Sequence, residues 1–315
     1  MNDSKIWLIG SGQMAIEYFK VLKKLNINFR VLGRGILTAK KFKKITNCEV
    51  ELGGIKANIK KFGTPKYAIV TVDADQLTNV AKDLISAGIH NILLEKPGAL
   101  NIEELKKLIR ISKRKQNKIL IAYNRRFYTS IIKAKKIINK DGGLKSIFFD
   151  FTEYSKKIKN LRISKIVKNK WVISNSSHVI DLAFYLGGKP KFWNYYHDGK
   201  IDWHPSSSRF CGAGISSKGV IFSYLSDWQS PGRWGIELFT YKRKLILRPM
   251  EKLQETKKEF SHIKNINFSN NLDIEFKPGL FLQTNAFLNE DFTELCTIQD
   301  QLENFKFYYK IAGYK

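Results

Sequence analysis

The chain has 315 residues, of which 43% are hydrophobic and 13% aromatic, so it can bury more than one core and is not globally disordered. Lys and Arg total 55 against 28 Asp and Glu, which gives a net charge of +27. Lys or Arg interrupts every apolar run before it reaches bilayer length, which argues against a membrane partner. We therefore expect a folded chain of two domains.

The positive charge is spread along the chain in short clusters such as Lys23-Lys24, Lys60-Lys61 and Lys257-Lys258. No RNA-binding aromatic motif or zinc spacing accompanies these clusters. We favour solvated helix faces over a nucleic-acid site. A basic field also attracts anionic small molecules, including dinucleotides and nucleotide-activated sugars.

The cysteines and the N-terminus indicate the compartment. Cys48, Cys211 and Cys296 are far apart and lack metal-ligand spacing, which predicts reduced thiols and no metal site. The first apolar stretch runs straight into a glycine turn, as the first strand of a domain does and a secretory signal does not. The expected location is the cytoplasm.

Residues 1–124 alternate between apolar strands and amphipathic helices. Strands are predicted at Lys5–Ile9, Phe29–Leu32, Tyr67–Val72, Asn91–Leu94 and Ile119–Tyr123, and helices at about 13–25, 37–46, 74–87 and 101–116. The strands lack strict alternation, as expected for parallel strands buried on both faces. This pattern predicts an α/β domain with a doubly wound parallel sheet, a Rossmann fold.

Three helix ends carry recognisable signals. Asp73 or Asp75 is expected to cap the third helix, and Gly88 to end it. Asn101 and Glu104 have the spacing of a capping box for the fourth helix.

Residues 125–315 show a different pattern, which predicts a second, α+β domain with an open and mainly antiparallel sheet. Strands are expected at 144–154, 191–198, 209–215, 219–227, 234–241 and 244–249, and helices at about 127–140, 175–186 and 299–311. The last helix could pack back on the first domain.

A strand, a glycine turn and a helix start meet at Gly10-Ser11-Gly12-Gln13-Met14-Ala15. Gly10 allows a tight turn, and Gly12 lets the backbone approach a pyrophosphate at the helix N-terminus. Alone this spacing is a weak signal, but its place between a strand and a helix at residue 10 makes it specific. It predicts a dinucleotide site.

The second strand is followed by Gly33-Arg34 and lacks the acid that binds the adenosine ribose in NAD-binding versions. Arg34 could bind a 2′-phosphate with charge-assisted hydrogen bonds. We therefore expect NADP(H) as the preferred cofactor, with NAD(H) possible. The alternative is that Arg34 is an ordinary surface residue.

The fourth strand ends in Glu95-Lys96-Pro97-Gly98. The proline disfavours helix at Lys96, and a lysine at the carboxyl end of such a strand faces the cofactor crevice. Farther along, His178 and Asp181 share one helix face, where an imidazole can exchange a proton with a substrate hydroxyl. Arg233, in a turn between strands, is a candidate contact for a substrate phosphate.

Together these elements resemble the glucose–fructose oxidoreductase / inositol dehydrogenase (Gfo/Idh/MocA) family over essentially the whole chain. The resemblance rests on the glycine turn, Glu95-Lys96-Pro97, Asn124-Arg125-Arg126-Phe127, and His178-x-x-Asp181 with Tyr185-Leu186-x-Gly188. It implies reversible hydride transfer between NAD(P) and a secondary alcohol carbon of a sugar, cyclitol or nucleotide sugar. It also implies a homodimer or homotetramer assembled through the open sheet.

The resemblance assigns roles to individual residues. Lys96 and His178 take the catalytic positions. The cofactor set is Gly10, Ser11, Gly12, Gln13, Met14, Gly33, Arg34, Thr71, Val72, Glu95, Lys96 and Arg125. The candidate substrate contacts are Ser174, Asn175, Asp181 and Arg233, with Asp181 also able to orient His178.

The chain departs from the family at two places. Many members have an aspartate where Ser174 stands, and a serine cannot take the substrate's proton. The segment after the third strand, Val72-Asp73-Ala74-Asp75, lacks the family's frequent Pro-Asn and His. These departures bear on the identity of the substrate more than on the class of reaction. Three alternatives stay open: a non-catalytic dinucleotide-binding regulatory protein of the same fold, a nucleic-acid-binding protein that uses the basic charge, and an imine or enone reductase that uses the same lysine.

Overall fold

The computed structural model describes residues 5–315 and shows two compact units. Residues 1–4, which open the predicted first domain, lie outside the described residues. One unit extends to Asn124 and also contains Asp273–Leu302, and the other contains Arg125–Leu272 and Glu303–Lys315. The segment 273–302 thus belongs with the first unit, although it lies far along the chain from the rest of that unit.

The N-terminal part of the first unit alternates strands and helices. Its strands are β1 Ile6–Ile9, β2 Phe29–Leu32, β3 Val50–Glu51, β4 Tyr67–Val70, β5 Asn91–Glu95 and β6 Lys118–Ala122, and its helices are α1 Gln13–Lys24, α2 Ile36–Thr46, α3 Gly54–Phe62, α4 Leu77–Ser86 and α5 Ile102–Lys115.

The second unit begins at Arg125, within a 3₁₀ turn at Asn124–Phe127, and continues with strands between short helices. Its elements are α6 Thr129–Lys140, β7 Ser146–Asp150, α7 Ser155–Lys159, α8 Lys165–Asn169, a π-helical turn Val172–Ser176, α9 Ser177–Gly187, β8 Pro190–Asp198, β9 Arg209–Ser216, β10 Ile221–Asp227, β11 Gly235–Phe239, β12 Arg243–Leu247, β13 Gln254–Lys257 and β14 Lys264–Asn265. The chain then returns to the first unit, with α10 Asn271–Glu275, α11 Leu280–Leu288 and β15 Cys296–Thr297. The last helix, α12 Ile298–Ala312, is divided between the two units after Leu302.

Within residues 5–315 the first sheet has the order β15-β6-β5-β4-β1-β2-β3. All its pairings are parallel except that of β15 with β6. Every residue of β1 and β4 is buried, because helices cover both faces of the sheet. The order β3-β2-β1-β4-β5-β6 is that of a dinucleotide-binding Rossmann fold.

The second sheet has the order β14-β13-β12-β11-β7-β10-β9-β8, and only its β7–β10 pairing is parallel. Helix α9 packs against it, with the Phe149 and Phe184 rings 6.2 Å apart. A parallel Rossmann sheet followed by a mainly antiparallel one confirms the predicted fold class. Among residues 5–315, no helix has the length and apolar composition that would let it cross a bilayer.

Of the three helix-end signals predicted from the sequence, two are confirmed and one is wrong. The Asn101 side chain accepts a hydrogen bond from the Glu104 amide at 2.9 Å, and Gly88, with a φ of +82°, follows the end of α4. The predicted aspartate cap of α4 is wrong: the helix begins at Leu77, and Gln76 holds the cap position without a side-chain hydrogen bond.

Candidate functional site

Except for Arg125, which belongs to the second unit, the predicted cofactor residues lie at or just after the carboxyl ends of strands in the first unit. Strand pairing aligns Ile9 of β1 with Val70 of β4, and Val70 with Leu94 of β5. Neighbouring strands are about 4.8 Å apart, so the chain exits at Gly10 and at Lys96 are separated by roughly 10 Å along this edge. Ligands of open α/β sheets bind at this edge, where the strand order reverses between β1 and β4.

Gly10 occupies a position that other residues cannot take without strain. Its φ is +117°, and an added Cβ would lie 2.5 Å from Thr71 Oγ1 and 3.0 Å from the Thr71 carbonyl carbon. The Gly10 amide donates to Leu32 O at 2.8 Å, while Thr71 Oγ1 donates to Ile9 O at 3.0 Å. The turn after β1 is therefore held tightly against the exit of β4.

The N-terminus of α1 is open to an anion. Gly12 is the N-cap residue, so no side chain caps the first amide groups of the helix, and the first turn contains no acidic residue. A Cβ on Gly12 would meet nothing within 4 Å, so the backbone faces open space. The first amide groups of the helix can therefore donate to a phosphate, with the helix dipole favouring the negative charge.

The other turn residues have partners within this unit. Ser11 Oγ donates to Thr38 Oγ1 at 3.0 Å, and Gln13 donates to Glu17 at 3.1 Å. Met14 Sδ lies 2.9 Å from Lys277 Nζ, a residue of the returning segment 273–302. Ser11 and Met14 thus fix neighbouring segments around the turn.

A cavity of about 90 Å³ lies beside the exit of β2. It brings together four of the predicted cofactor residues, namely Gly10, Gly33, Arg34 and Val72. Gly33 is closely packed, since a Cβ there would lie 2.8 Å from Val50 Cγ1. The exposed Arg34 donates to Gln76 Oε1 at 3.0 Å, which holds its guanidinium at the cavity.

Glu95, the last residue of β5, is half-buried and accepts a hydrogen bond from Tyr18 Oη at 3.1 Å. Burial raises the pKa of the Glu95 carboxyl, and the charges of Lys96 and Lys277 offset part of that rise. Burial also raises the pKa of Tyr18 well above its usual value, so this phenol stays protonated and keeps donating. Glu95 is therefore anchored directly beside Lys96.

The chain after Lys96 is fixed by contacts within the first unit. Gly98 has a φ of +79°, and a Cβ there would lie 2.5 Å from Ile121 Cδ1. Gln301 donates to Pro97 O and to Tyr123 Oη, both at 2.9 Å. Lys96, itself half-buried, consequently projects from a rigid exit and not from a mobile loop.

His178 is the second residue of α9 and is 7% exposed. It follows the π-helical turn, a rare geometry that often occurs at functional sites. Its ring centroid lies 6.1 Å from that of Trp234, and the guanidinium of Arg125 lies 4.7 Å from the Trp234 ring. Burial lowers the pKa of Arg125.

Asp181 is 1% exposed and holds Arg126 in a bidentate ion pair. Arg126 Nε donates to one carboxylate oxygen at 2.8 Å and Nη2 to the other at 2.6 Å, while Asn304 donates at 3.2 Å. As a substrate contact Asp181 would first have to release these partners. Ser174 also has a protein partner, since its Oγ donates to Val167 O at 3.1 Å.

Asn175 and Arg233 converge on Glu153, which the sequence analysis does not single out. Glu153 Oε1 accepts from Asn175 at 2.9 Å and from Ser176 Oγ at 2.8 Å, and Oε2 accepts from Arg233 Nη1 at 3.0 Å. The residue is 3% exposed, and burial raises the pKa of its carboxyl. The only feature of the sequence that could have pointed to Glu153 is its position, as an acid near the end of an apolar stretch.

The first unit fits a dinucleotide on structural grounds. Gly10 forms a cradle that a Cβ would fill, Gly12 leaves the helix N-terminus open, and Arg34 supplies positive charge at the cavity. Among residues 5–315, no group of three or more His, Cys, Asp or Glu side chains could hold a metal ion.

Comparisons with known proteins agree with this geometry. Residues 5–123 match the family described as "Oxidoreductase family, NAD-binding Rossmann fold". No curated protein sequence matches the chain.

Solved structures share the fold over nearly the whole chain. A protein described as a candidate NADPH-dependent oxidoreductase from Desulfitobacterium hafniense superposes with a TM-score of 0.78 at 16% identity, covering 96% of this chain and 93% of its own. UDP-N-acetylglucosamine 3-dehydrogenase from Acidithiobacillus ferrooxidans gives 0.75 at 12% identity, covering 100% and 98%. Levoglucosan dehydrogenase in complex with NADH gives 0.78 at 16% identity, covering 98% and 96%.

The strand order, the glycine turn and the match over residues 5–123 lead to one conclusion. The N-terminal domain, residues 5–123, is similar to the NAD-binding Rossmann domain of the Gfo/Idh/MocA oxidoreductases.

Proposed function

We propose that this oxidoreductase transfers a hydride between NAD(P)(H) and a secondary alcohol or keto carbon of a carbohydrate. The observation that carries the proposal is the common edge of the first sheet, where the Gly10 turn and Lys96 follow strands separated only by β4. The bound dinucleotide would supply or accept the hydride. Gly10, Gly12 and the N-terminus of α1 would hold its pyrophosphate.

Lys96 acts on the reacting oxygen in this proposal. Its ammonium donates a hydrogen bond to the carbonyl oxygen in reduction and stabilises the alkoxide in oxidation. The anchored Glu95 and the Gln301 contact to Pro97 fix the exit from which Lys96 projects. His178, in the second unit, holds the proton that the substrate hydroxyl gains or loses.

We propose NADP(H) as the preferred cofactor. Arg34 supports this preference because it lines the cavity beside β2 and no acid follows that strand, although Asp83 of α4 lines the same cavity. An acid there would repel a 2′-phosphate, whereas a guanidinium can bind it with two hydrogen bonds.

A nucleotide sugar or a related carbohydrate is the proposed substrate. The net charge of +27 favours anionic ligands, and two of the structural relatives are named as dehydrogenases of a nucleotide sugar and of levoglucosan. The cytoplasm is the proposed site of action, because Cys48, Cys211 and Cys296 are thiols that form no disulfide within residues 5–315.

A homodimer or homotetramer through the open sheet is also proposed. One face of that sheet exposes Phe192, Ile215 and Ile221 in one cross-strand row and Tyr196 and Leu225 in another. Isolated proteins seldom expose so continuous an apolar face. Sedimentation of the wild type and of Leu225→Arg tests this part: the variant should sediment as a smaller species, and a monomeric wild type would contradict it.

The test of catalysis is turnover of a panel of sugars and nucleotide sugars by Lys96→Met and His178→Asn. Each variant should lose about 10²-fold or more in kcat while the affinity for the dinucleotide stays close to that of the wild type. Lys107→Met, a change of an exposed lysine on α5, is the matched control and should keep full turnover. Full activity of Lys96→Met would refute the assignment.

A further inference from the structure

A wide pocket in the second unit opens beside Glu153 and Arg233. It has a volume of about 1130 Å³ and is bordered by α7 and by the turn between β10 and β11. Four cationic side chains line it, namely Lys156, Lys157, Lys159 and Arg233. Glu153 is the only acid among its lining residues, so the pocket is strongly positive.

The three lysines differ in whether an ion-pair partner already neutralises their charge. Lys159 forms an ion pair with Asp202. Neither Lys156 nor Lys157 has an ion-pair partner among residues 5–315, and both are exposed at the pocket. Two uncompensated ammonium groups on one short helix repel each other, and a multiply charged anion between them would relieve that repulsion.

Arg233 is presented to the pocket in a fixed orientation. Its Nη1 donates to the buried Glu153, and its guanidinium lies 4.2 Å from the Trp234 ring and 4.9 Å from the Tyr154 ring. Glu153 is in turn held by Asn175 and Ser176. An arginine fixed by a buried acid and two rings loses little entropy when it binds a ligand, and its planar fork matches phosphate oxygens.

The remaining walls suit a ligand larger than a lone ion. Asn160, Gln229 and Ser230 add neutral polar groups, and the half-exposed Tyr154 adds an aromatic face. Such a face can stack on a base or on the C–H surface of a sugar. The volume exceeds what a single phosphate needs.

We propose that this pocket binds the phosphate-bearing part of the substrate, through Arg233, Lys156 and Lys157. The inference rests on the proposed function, because it identifies the anionic group of the carbohydrate on which the enzyme acts. The shared chemistry is a phosphate, carried either by a sugar phosphate as a monoester or by a nucleotide-activated sugar as a diphosphate. The pocket thus selects charged carbohydrates over free sugars.

The test is calorimetric titration of the full-length protein with inorganic pyrophosphate, glucose 6-phosphate and UDP-glucose. Saturating NADPH is present throughout, so that the probes cannot occupy the Gly10 turn. The variants are Lys156→Ala/Lys157→Ala and Arg233→Lys. Lys106→Ala/Lys107→Ala removes the same charge from an adjacent exposed pair on α5 and serves as the control.

We expect each pocket variant to weaken pyrophosphate binding about tenfold or more, and the control to bind like the wild type. Tighter binding of UDP-glucose than of glucose 6-phosphate identifies the diphosphate as the natural ligand, and the reverse order identifies the monoester. Unchanged pyrophosphate binding in both variants overturns the pocket proposal. Failure of NADPH to bind the wild type instead refutes the proposed function, so the two failures are distinguishable.

Discussion

Arg126 and Asp181 form a buried, bidentate ion pair in the second unit, with Arg126 Nη2 2.6 Å from Asp181 Oδ1. The pair joins the 3₁₀ turn after β6 to α9, three residues after His178. Asn304 of α12 donates to the same carboxylate. The geometry therefore links three separate segments around the helix that carries His178.

Asp181→Asn should destabilise the second unit strongly, because Arg126 would remain buried without its counter-charge. Breaking a buried pair by removing one partner typically costs about 3–5 kcal/mol. The measurement is the urea midpoint of the variant against the wild type. The double variant Arg126→Met/Asp181→Leu should recover most of the loss, since no charge stays buried. A midpoint unchanged in Asp181→Asn would show that the pair contributes little.

Gly10→Ala should abolish dinucleotide binding, because its Cβ would collide with Thr71 and the φ of +117° disfavours alanine. Gly63→Ala is the matched control: its φ is also positive, at +76°, but a Cβ there meets nothing within 4 Å. Backbone strain should cost each variant about 1–3 kcal/mol of stability, and the collision with Thr71 should cost Gly10→Ala more. Only Gly10→Ala should lose NADPH binding, which nicotinamide fluorescence measures. Intact NADPH binding in Gly10→Ala would mean that the pyrophosphate does not bind at this turn.

Arg34→Gln should lower the preference for NADPH over NADH about tenfold or more, since a charge-assisted contact to the 2′-phosphate is lost. Affinity for NADH should change little. The dissociation constants of both cofactors are compared with those of Lys40→Gln, which removes an exposed lysine on α2. Equal cofactor selectivity in Arg34→Gln and the wild type would show that Arg34 is an ordinary surface residue that does not contact the 2′-phosphate.

His204 should make the stability of the second unit depend on pH. Burial lowers its pKa to about 4, while its Nε2 lies 2.8 Å from Tyr314 Oη and its Nδ1 2.9 Å from Ser207 O. The folded pKa lies below the unfolded value of about 6.5, so the unfolded chain binds the proton more tightly. Stability is therefore complete above pH 6.5 and declines as the pH falls towards 4.

The decline should amount to about 3 kcal/mol at most, as linkage between the two pKa values requires. Urea midpoints between pH 4 and 7 measure it. His262→Gln, at an exposed histidine, should keep the same slope, whereas His204→Asn should flatten it. An unchanged slope in His204→Asn would contradict the assignment.

The Rossmann half was predictable because its signals are local. Strand β1, the Gly10 turn and α1 follow one another within 20 residues, and the chain exits at Arg34 and Lys96 follow apolar runs directly. Two elements of this half were not predicted, β3 Val50–Glu51 and α3 Gly54–Phe62. Gly53 and Gly54 lie where α3 begins, shortly after β3 ends. Both glycines have positive φ values, and the short strand gave no apolar run to recognise.

The contacts made over long sequence distances were not predictable. The segment 273–302 returns to the first unit, where Gln283 is fully buried beside Tyr18, and no periodic pattern signals such a return. Glu153 was missed for the same reason: its partners Asn175 and Arg233 are 22 and 80 residues away. Polar networks of this kind depend on tertiary packing rather than on local spacing.

The most direct test of the central claim is titration of the purified protein with NADPH and NADH, followed by nicotinamide and tryptophan fluorescence. The proposed function predicts saturable binding of both cofactors and tighter binding of NADPH than of NADH, and it predicts that Gly10→Ala binds neither cofactor. Absence of binding to either cofactor would mean that the glycine turn serves only the fold, and it would contradict the assignment of Lys96 to hydride-transfer chemistry.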